Sequence, residues 1–377
     1  MNKHNTINPN PRRIKMRLNN VVKKIFAAGL AVSLMMANAG VSFAFTYRPI
    51  SGTTTTFTKT LDLGSNANIP AVEFEYTIAP GTEKIAAADN TFEVLPGVGT
   101  PTITKATFAA GPLADGATTA EQTVTVSFTN VNFTEPGVYR YIITETKNQQ
   151  YGFIEYDSKE NRYLDVCIVD DGNGALEVGN YVLHETAVAP NSKGTATDAK
   201  STGYTNKYLN QVLTISKTVS GNQASRDKYF KFDVTVENLT AGNICSVDTS
   251  HADGTVGSNA ATLDAYEGET NATSITADAS GKATATFYLQ HGQSIVIKGL
   301  AKGASYTVVE TPEEYTCDAA NNTISGEIAD AAATAAFTNT KKGTVPTGVI
   351  LDSAPFILII VLAAAALAFT AARKKNR

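Results

Sequence analysis

No long stretch of this 377-residue chain spaces its apolar residues at the helical period, tryptophan is absent, and there are only three cysteines and four histidines. Without a period near 3.6 residues there is no amphipathic face from which to build a helical bundle, so the body has to be made of strands. Cys167, Cys245 and Cys317 are too few for a disulfide framework and lack the paired spacing of a zinc site, and His184, His251 and His291 are scattered. Cys245 and Cys317 fall in the same half of the chain and are candidates for one disulfide, whereas Cys167, inside an apolar run, reads as a small buried residue. No Ser/His/Asp arrangement and no phosphate-binding glycine loop is present, so neither an enzyme nor a cofactor or metal is expected.

Charge is also sparse, at 18% of residues with a formal net of -4, and it is unevenly spread. Residues 1–44 hold seven Lys and Arg and no acid, and residues 348–377 hold four and one; residues 45–347 keep 20 basic against 34 acidic residues, a net of -14. A body this acidic excludes nucleic acid as a partner, because binding it requires cations that displace counterions. The basic ends have another use. Arg12, Arg13, Lys15, Arg17, Lys23 and Lys24 precede an apolar run from Ile25 to Met36 that closes on Ser42-Phe43-Ala44, the pattern of a secretory signal peptide over residues 1–44. At the other end an apolar segment, Ala354 to Ala372, is long enough for one bilayer span and is stopped by Arg373-Lys374-Lys375-Asn376-Arg377. Immediately before it stands Thr344-Val345-Pro346-Thr347-Gly348. That order of motif, span and basic tail resembles the cell-wall sorting signal of Gram-positive bacteria, of the Leu-Pro-x-Thr-Gly type, although Thr344 replaces Leu and Pro346 sits one place late. The resemblance implies that a sortase cuts between Thr347 and Gly348, through an acyl-enzyme on its cysteine.

The body between these ends reads as strands. Val72–Ile78, Thr123–Phe128, Tyr139–Thr144 and Tyr163–Val169 in the first half, and Leu213–Val219, Tyr229–Val236, Lys282–Leu289, Ser294–Ile297 and Ser305–Glu310 in the second, alternate or are rich in β-branched and aromatic residues. Asp171-Gly172-Asn173-Gly174 is a hairpin turn; as a calcium loop it fails, because Tyr181 stands where the twelfth-position Glu is needed. The halves echo each other. Phe57-Thr58-Lys59-Thr60-Leu61 returns as Ile215-Ser216-Lys217-Thr218-Val219, Tyr141 to Thr146 returns as Tyr306 to Thr311, and Tyr204-Thr205-Asn206-Lys207 returns as Phe337-Thr338-Asn339-Thr340. The order Lys, Glu, Asn therefore occurs twice. It predicts two stacked modules, 45–209 and 210–342, with little linker around Leu209–Gln211, followed by a sorting region, 343–377.

These repeats, together with the two terminal signals, resemble the major backbone pilins of Gram-positive bacteria, whose tandem immunoglobulin-like (CnaB-type) β-sandwiches are each braced by an internal isopeptide bond. The resemblance implies an amide between Lys59 and Asn206 promoted by Glu145, and a second between Lys217 and Asn339 promoted by Glu310. Such chemistry suits these residue types: burial frees the lysine lone pair, keeps the glutamic acid neutral to polarise the asparagine carboxamide, and holds amine and amide in contact. The resemblance further implies a sortase that joins Thr347 of one subunit to an exposed lysine of the next, for which Lys200 and then Lys193 are the candidates, with Lys207 behind them. It implies a secreted, wall-attached shaft subunit with identical subunits, minor pilins, a sortase and peptidoglycan as partners; a single-copy adhesin or minor pilin built from the same domains is the alternative.

Overall fold

The computed structural model describes residues 53–81, 93–187, 200–250, 256–257 and 271–343. The signal peptide, Lys193, the sorting motif and the Ala354–Ala372 segment lie outside these residues. Among the described residues no helix is long and apolar enough to cross a membrane.

The architecture is all-β, two immunoglobulin-like sandwiches in tandem. In the first half the strands are β1 (Thr54–Asp62), β2 (Val72–Pro80), β3 (Val94–Pro96), β4 (Thr102–Ile103), β5 (Ala106–Phe108), β6 (Thr119–Ser127), β7 (Gly137–Thr146), β8 (Ile154–Glu155), β9 (Asn161–Asp170), β10 (Leu176–His184) and β11 (Gly203–Tyr208). They form one sheet in the order β4-β6-β1-β11-β8 and a facing sheet in the order β10-β9-β7-β2-β5, with β3 added alongside β7. In the second half the strands are β12 (Asn210–Ser220), β13 (Phe230–Glu237), β14 (Ile244–Ser250), β15 (Val256–Gly257), β16 (Ser274–Thr276), β17 (Ala283–Leu289), β18 (Ser294–Ala301), β19 (Ser305–Thr311), β20 (Thr316–Cys317), β21 (Thr323–Glu327) and β22 (Ala333–Thr340). Their sheets run β15-β14-β18-β12-β22-β20, with β16 on β14, and β17-β13-β19-β21. Each expected strand falls on an observed one, β6 starting already at Thr119 and β18 running on to Ala301. The expected turn joins β9 to β10, where Asp171 Oδ1 accepts from the Asn173 and Ala175 N–H groups at 2.7 and 3.0 Å.

Two parallel ladders matter most. β1 pairs with β11, from Thr58 opposite Gly203 to Asp62 opposite Lys207, and β12 pairs with β22, from Leu213 opposite Ala333 to Ser220 opposite Thr340. In each half the first strand thus lies beside the last. Period-two alternation turns Phe57, Lys59 and Leu61 of β1 inward, and likewise Leu213, Ile215, Lys217 and Val219 of β12. A lysine in such a row cannot reach solvent without a register slip that would expose its apolar neighbours as well.

Only Leu209 separates β11 from β12. Across this junction Asn68 donates from Nδ2 to the Ile244 carbonyl at 3.0 Å and to Ser246 Oγ at 3.2 Å, Asn210 Nδ2 donates to the Leu63 carbonyl at 3.1 Å, and Lys302 N–H donates to the Leu209 carbonyl at 2.9 Å. Gly299 (φ +74°) presses against this contact so closely that a Cβ there would stand 3.0 Å from the Ala67 Cα. In the first half, Arg140 clamps Asp165 through Nε and Nη2 at 2.7 and 2.8 Å, and His184 Nε2 lies 3.1 Å from Asp165 Oδ2; this buried group ties β7, β9 and β10 together.

The cysteine expectation requires correction. Cys245 and Cys317 are free thiols. Cys245 on β14 and Cys317 on β20 belong to one sheet but have β18, β12 and β22 between them, which at the usual strand spacing is about 19 Å, well beyond disulfide reach. Burial pushes the Cys245 and Cys167 thiols up to about 12 and the Cys317 thiol up to about 11.

Candidate functional site

In the first sandwich the register of three strands brings Lys59, Glu145 and Asn206 together in the core, at 0%, 3% and 0% exposure. Lys59 points inward from β1, Asn206 points inward from the neighbouring β11, and Glu145 reaches across from β7 in the facing sheet. Lys59 Nζ donates to Glu145 Oε1 at 2.6 Å, and Asn206 Nδ2 donates to the same oxygen at 3.2 Å. Asn206 Oδ1 accepts from the Asp157 N–H at 2.9 Å. Asp157 is itself anchored: burial works against its charge, yet the Thr205 and Lys159 N–H groups and the Arg162 guanidinium hold its carboxyl below the usual range.

Around the amine the walls are aromatic. Lys59 Nζ sits 4.4 Å from the Phe74 ring centre and 5.9 Å from that of Tyr204, and Tyr204 packs on Phe57 and Tyr76. Burial pulls the Lys59 ammonium down to about 8, with the Glu145 charge acting in the opposite direction. Burial likewise raises the Glu145 carboxyl, against the pull of Lys59. Both shifts bring the proton-transferred form, neutral amine beside neutral acid, close in energy to the ion pair.

The second sandwich repeats the set. Lys217 on β12, Glu310 on β19 and Asn339 on β22 are buried to 1%, 2% and 0% exposure. Lys217 Nζ donates to Glu310 Oε1, and Asn339 Nδ2 donates to that oxygen at 2.9 Å. The Phe230 ring lies 4.2 Å from Lys217 Nζ, and burial lowers the Lys217 ammonium. The sites differ at the asparagine carbonyl. Asn339 Oδ1 and Glu310 Oε2 are both buried and lack a hydrogen-bond partner among the described residues, where Asn206 Oδ1 has the Asp157 N–H. Cys317 stands directly opposite Asn339 on the neighbouring strand.

The geometry refines one expectation. The glutamate oxygen faces the amide nitrogen in both sites, not the amide oxygen, so carbonyl polarisation in the first site falls to the Asp157 N–H. That group, and the rings of Phe74, Tyr204 and Phe230, went unnoticed in the sequence. Of the other candidates, Lys200 is exposed and makes an isolated bridge with His184 at the end of β10, and Lys207 is exposed on β11. Among the described residues no cluster of His, Cys, Asp and Glu suits a metal ion.

Residues 55–209 match the family described as a Spy0128-like isopeptide containing domain, and residues 211–341 match a domain of unknown function, DUF7601. A pilin of Streptococcus pyogenes serotype M1 is 28% identical over 359 residues, which cover 87% of this chain and 92% of that protein. A pilus tip adhesin of Streptococcus pyogenes is 31% identical over 146 residues, 37% of this chain and 18% of the adhesin. Among solved structures, the major pilin from Streptococcus pyogenes aligns at 25% identity with a TM-score of 0.53, covering 78% of this chain and 100% of that one. Another major pilin of that species, 18% identical at a TM-score of 0.51, shares the fold. An isopeptide-domain match over one Lys–Glu–Asn triad, a second triad in the next sandwich, and alignment with a streptococcal pilin along most of the chain make this protein similar to the Gram-positive major pilins.

Proposed function

We propose that the chain closes each of its two sandwiches, 45–209 and 210–342, with a self-made amide, Lys59 to Asn206 and Lys217 to Asn339, and that a sortase then links it covalently into the pilus shaft. The observation that supports this most directly is the convergence of a buried lysine and a buried asparagine on one glutamate oxygen, twice, between first and last strands. In the first site Glu145 takes a proton from the Lys59 ammonium, and the freed Nζ lone pair attacks Asn206 Cγ. The Cγ–Nδ2 bond breaks and ammonia leaves with a hydrogen relayed from the amine through the carboxyl. The product is a neutral amide beside a neutral acid, so a buried charge pair disappears, which favours the product. Glu310 serves Lys217 and Asn339 in the same way. Each reaction happens once per molecule, so the protein is a structural element and not an enzyme.

For assembly, Thr347 is the acyl donor after cleavage before Gly348, and Lys200 or Lys193 is the acceptor on the next subunit. The signal peptide, the brief membrane retention by residues 354–372, and final attachment to peptidoglycan complete the route to the wall. Intact-mass measurement of the secreted chain should show the loss of two ammonia molecules, and denaturing gels of wall extracts should show a high-mass ladder. A full mass refutes the self-made amides, and a wild-type chain with no ladder refutes the linkage.

A further inference from the structure

On the flank of the first sandwich a cavity of about 310 Å³ opens in the seam between the two sheets. Thr56 and Thr58 of β1, Leu164 of β9, Tyr181 and Leu183 of β10, and Ser201 line it, and none of its lining side chains is charged. The opening exists because β11 stops short. β6 pairs with β1 over its whole length, from Thr54 to Asp62, whereas β11 pairs only from Thr58 onward. The Phe128 N–H bonds the Thr53 carbonyl on the β6 side, and the Thr58 N–H bonds the Thr202 carbonyl on the other. Alternation therefore turns the Thr56 N–H and C=O toward the gap, where no strand lies beside them among the described residues. The cavity also adjoins the favoured acceptor: Ser201 follows Lys200 and bonds through its N–H to the Leu183 carbonyl at 2.8 Å, and Lys200 bridges to His184.

We propose that this seam receives the segment Thr344–Thr347 of a second copy of the chain, laid as a short strand along the open edge of β1, and so presents the Thr347 carbonyl to Lys200. The proposal rests on the sortase linkage proposed above. Thr-Val-Pro-Thr matches the seam in chemistry, being uncharged, rich in hydroxyls and β-branched. A residue before proline is held extended, and Pro346 can turn its missing donor outward while the Val345 and Thr347 N–H groups face β1.

Distance requires the segment to come from another copy. β12 runs from Asn210, beside the first sandwich, to Ser220, about 33 Å away at strand rise. Thr340 lies opposite Ser220, and Gly343 is held further out by the Asn222 side chain, whose Oδ1 accepts from its N–H at 2.9 Å. The cavity lies on the other side of the junction, against the beginning of β11. Four residues beyond Gly343 span at most about 14 Å, so they cannot return to the seam of their own chain. The shaft must then be head-to-tail, with the second sandwich of one subunit meeting the first of the next.

The test uses the full chain, produced in Gram-positive cells that carry a pilin sortase. A photo-crosslinking amino acid replaces exposed Thr56, and Thr56→Pro, which removes an N–H aimed at the open edge beside the cavity while leaving the β6 ladder intact, is made separately. The expected results are a crosslink that maps to residues 344–347 of another subunit, and a polymer ladder reduced at least tenfold by Thr56→Pro with the loss of two ammonia molecules preserved. A crosslink that maps elsewhere, or a full ladder from a correctly self-linked Thr56→Pro chain, overturns the docking site. A wild-type chain without a ladder overturns instead the linkage on which the proposal rests, so the two failures are distinct.

Discussion

Replacing Glu145 by Gln keeps the shape of the first site but removes the atom that accepts from both Lys59 and Asn206. A glutamine can neither take the ammonium proton nor relay a hydrogen to the leaving nitrogen, so the amide should not form. The stability at stake follows from the loop that the bond closes. Lys59 to Asn206 spans 148 residues, and the chain-entropy relation for a cross-link of that length yields about 5 kcal/mol. For a domain of this size 1 kcal/mol corresponds to roughly 3 °C, so the first sandwich should melt about 15 °C lower. The second sandwich keeps its own bond and should melt as before, splitting one thermal transition into two. Mass spectrometry reads the chemistry independently: the variant should lack one ammonia relative to its sequence mass, where the wild type lacks two. If Glu145→Gln still loses two, the glutamate is not the proton relay. If it loses one but melts with the wild type, the bond forms without constraining the fold, and the entropic reasoning fails.

Two further outcomes follow from the same geometry. The reactive tautomer, neutral amine with neutral acid, carries the same single proton as the ion pair, so the rate of amide formation in chain freshly refolded from urea should hold a plateau that ends near pH 8. The rate should fall on the acid side too, where Glu145 takes up a proton while Lys59 keeps its own. Above about pH 8, where the buried Lys59–Glu145 pair loses its shared proton, it should fall about tenfold per pH unit; a rate that climbs through pH 8 would mean that the amine alone limits the reaction. Gly203→Ala should uncouple β11 from β1, because Gly203 has φ +148° and a Cβ there would stand 1.7 Å from the Thr58 carbonyl oxygen; the expected result is a chain missing only the second ammonia, and an unchanged loss of two would show that β11 holds its register without that approach.

What could be read in advance followed from local periodicity. Lys59 and Lys217 each occupy an inward place in an alternating row, and the paired echoes around Glu145/Glu310 and Asn206/Asn339 mark the strands that meet them. The rest depends on which strands become neighbours. Phe74 lies over Lys59 only because β2 sits beside β7 in the opposite sheet, and the Asp157 N–H reaches Asn206 only through the segment that follows β8. The cysteine pairing failed for the same reason: Cys245 and Cys317 share a sandwich, but sequence spacing does not reveal the three strands between them. The seam at Thr56 had no signal beyond Gly203, whose close approach to Thr58 sets where β11 begins.

Strand register also assigns the two proposed amides unequal mechanical duties. With the linkage proposed here, tension enters a subunit at Lys200 and leaves at Thr347. From Lys200 it runs along β11, through Leu209 and along β12 to Lys217; there the second amide passes it directly to Asn339 and out through β22. The 121 residues between Lys217 and Asn339 are bypassed. The first amide lies off this path, because both ends of β11 are already loaded through the backbone; its role is to keep the remainder of the first sandwich attached to the loaded strand. Single-molecule pulling between Lys200 and Thr347 separates these duties. Asn339→Ala should release roughly 40 nm of chain when the second sandwich opens, whereas Asn206→Ala should add no length between the same points, although it lowers thermal stability. A long extension from Asn206→Ala in native fibres would place the acceptor before Lys59, or nearer along the chain to Lys59 than to Asn206, and exclude both Lys200 and Lys193, since only then would the first amide carry the load.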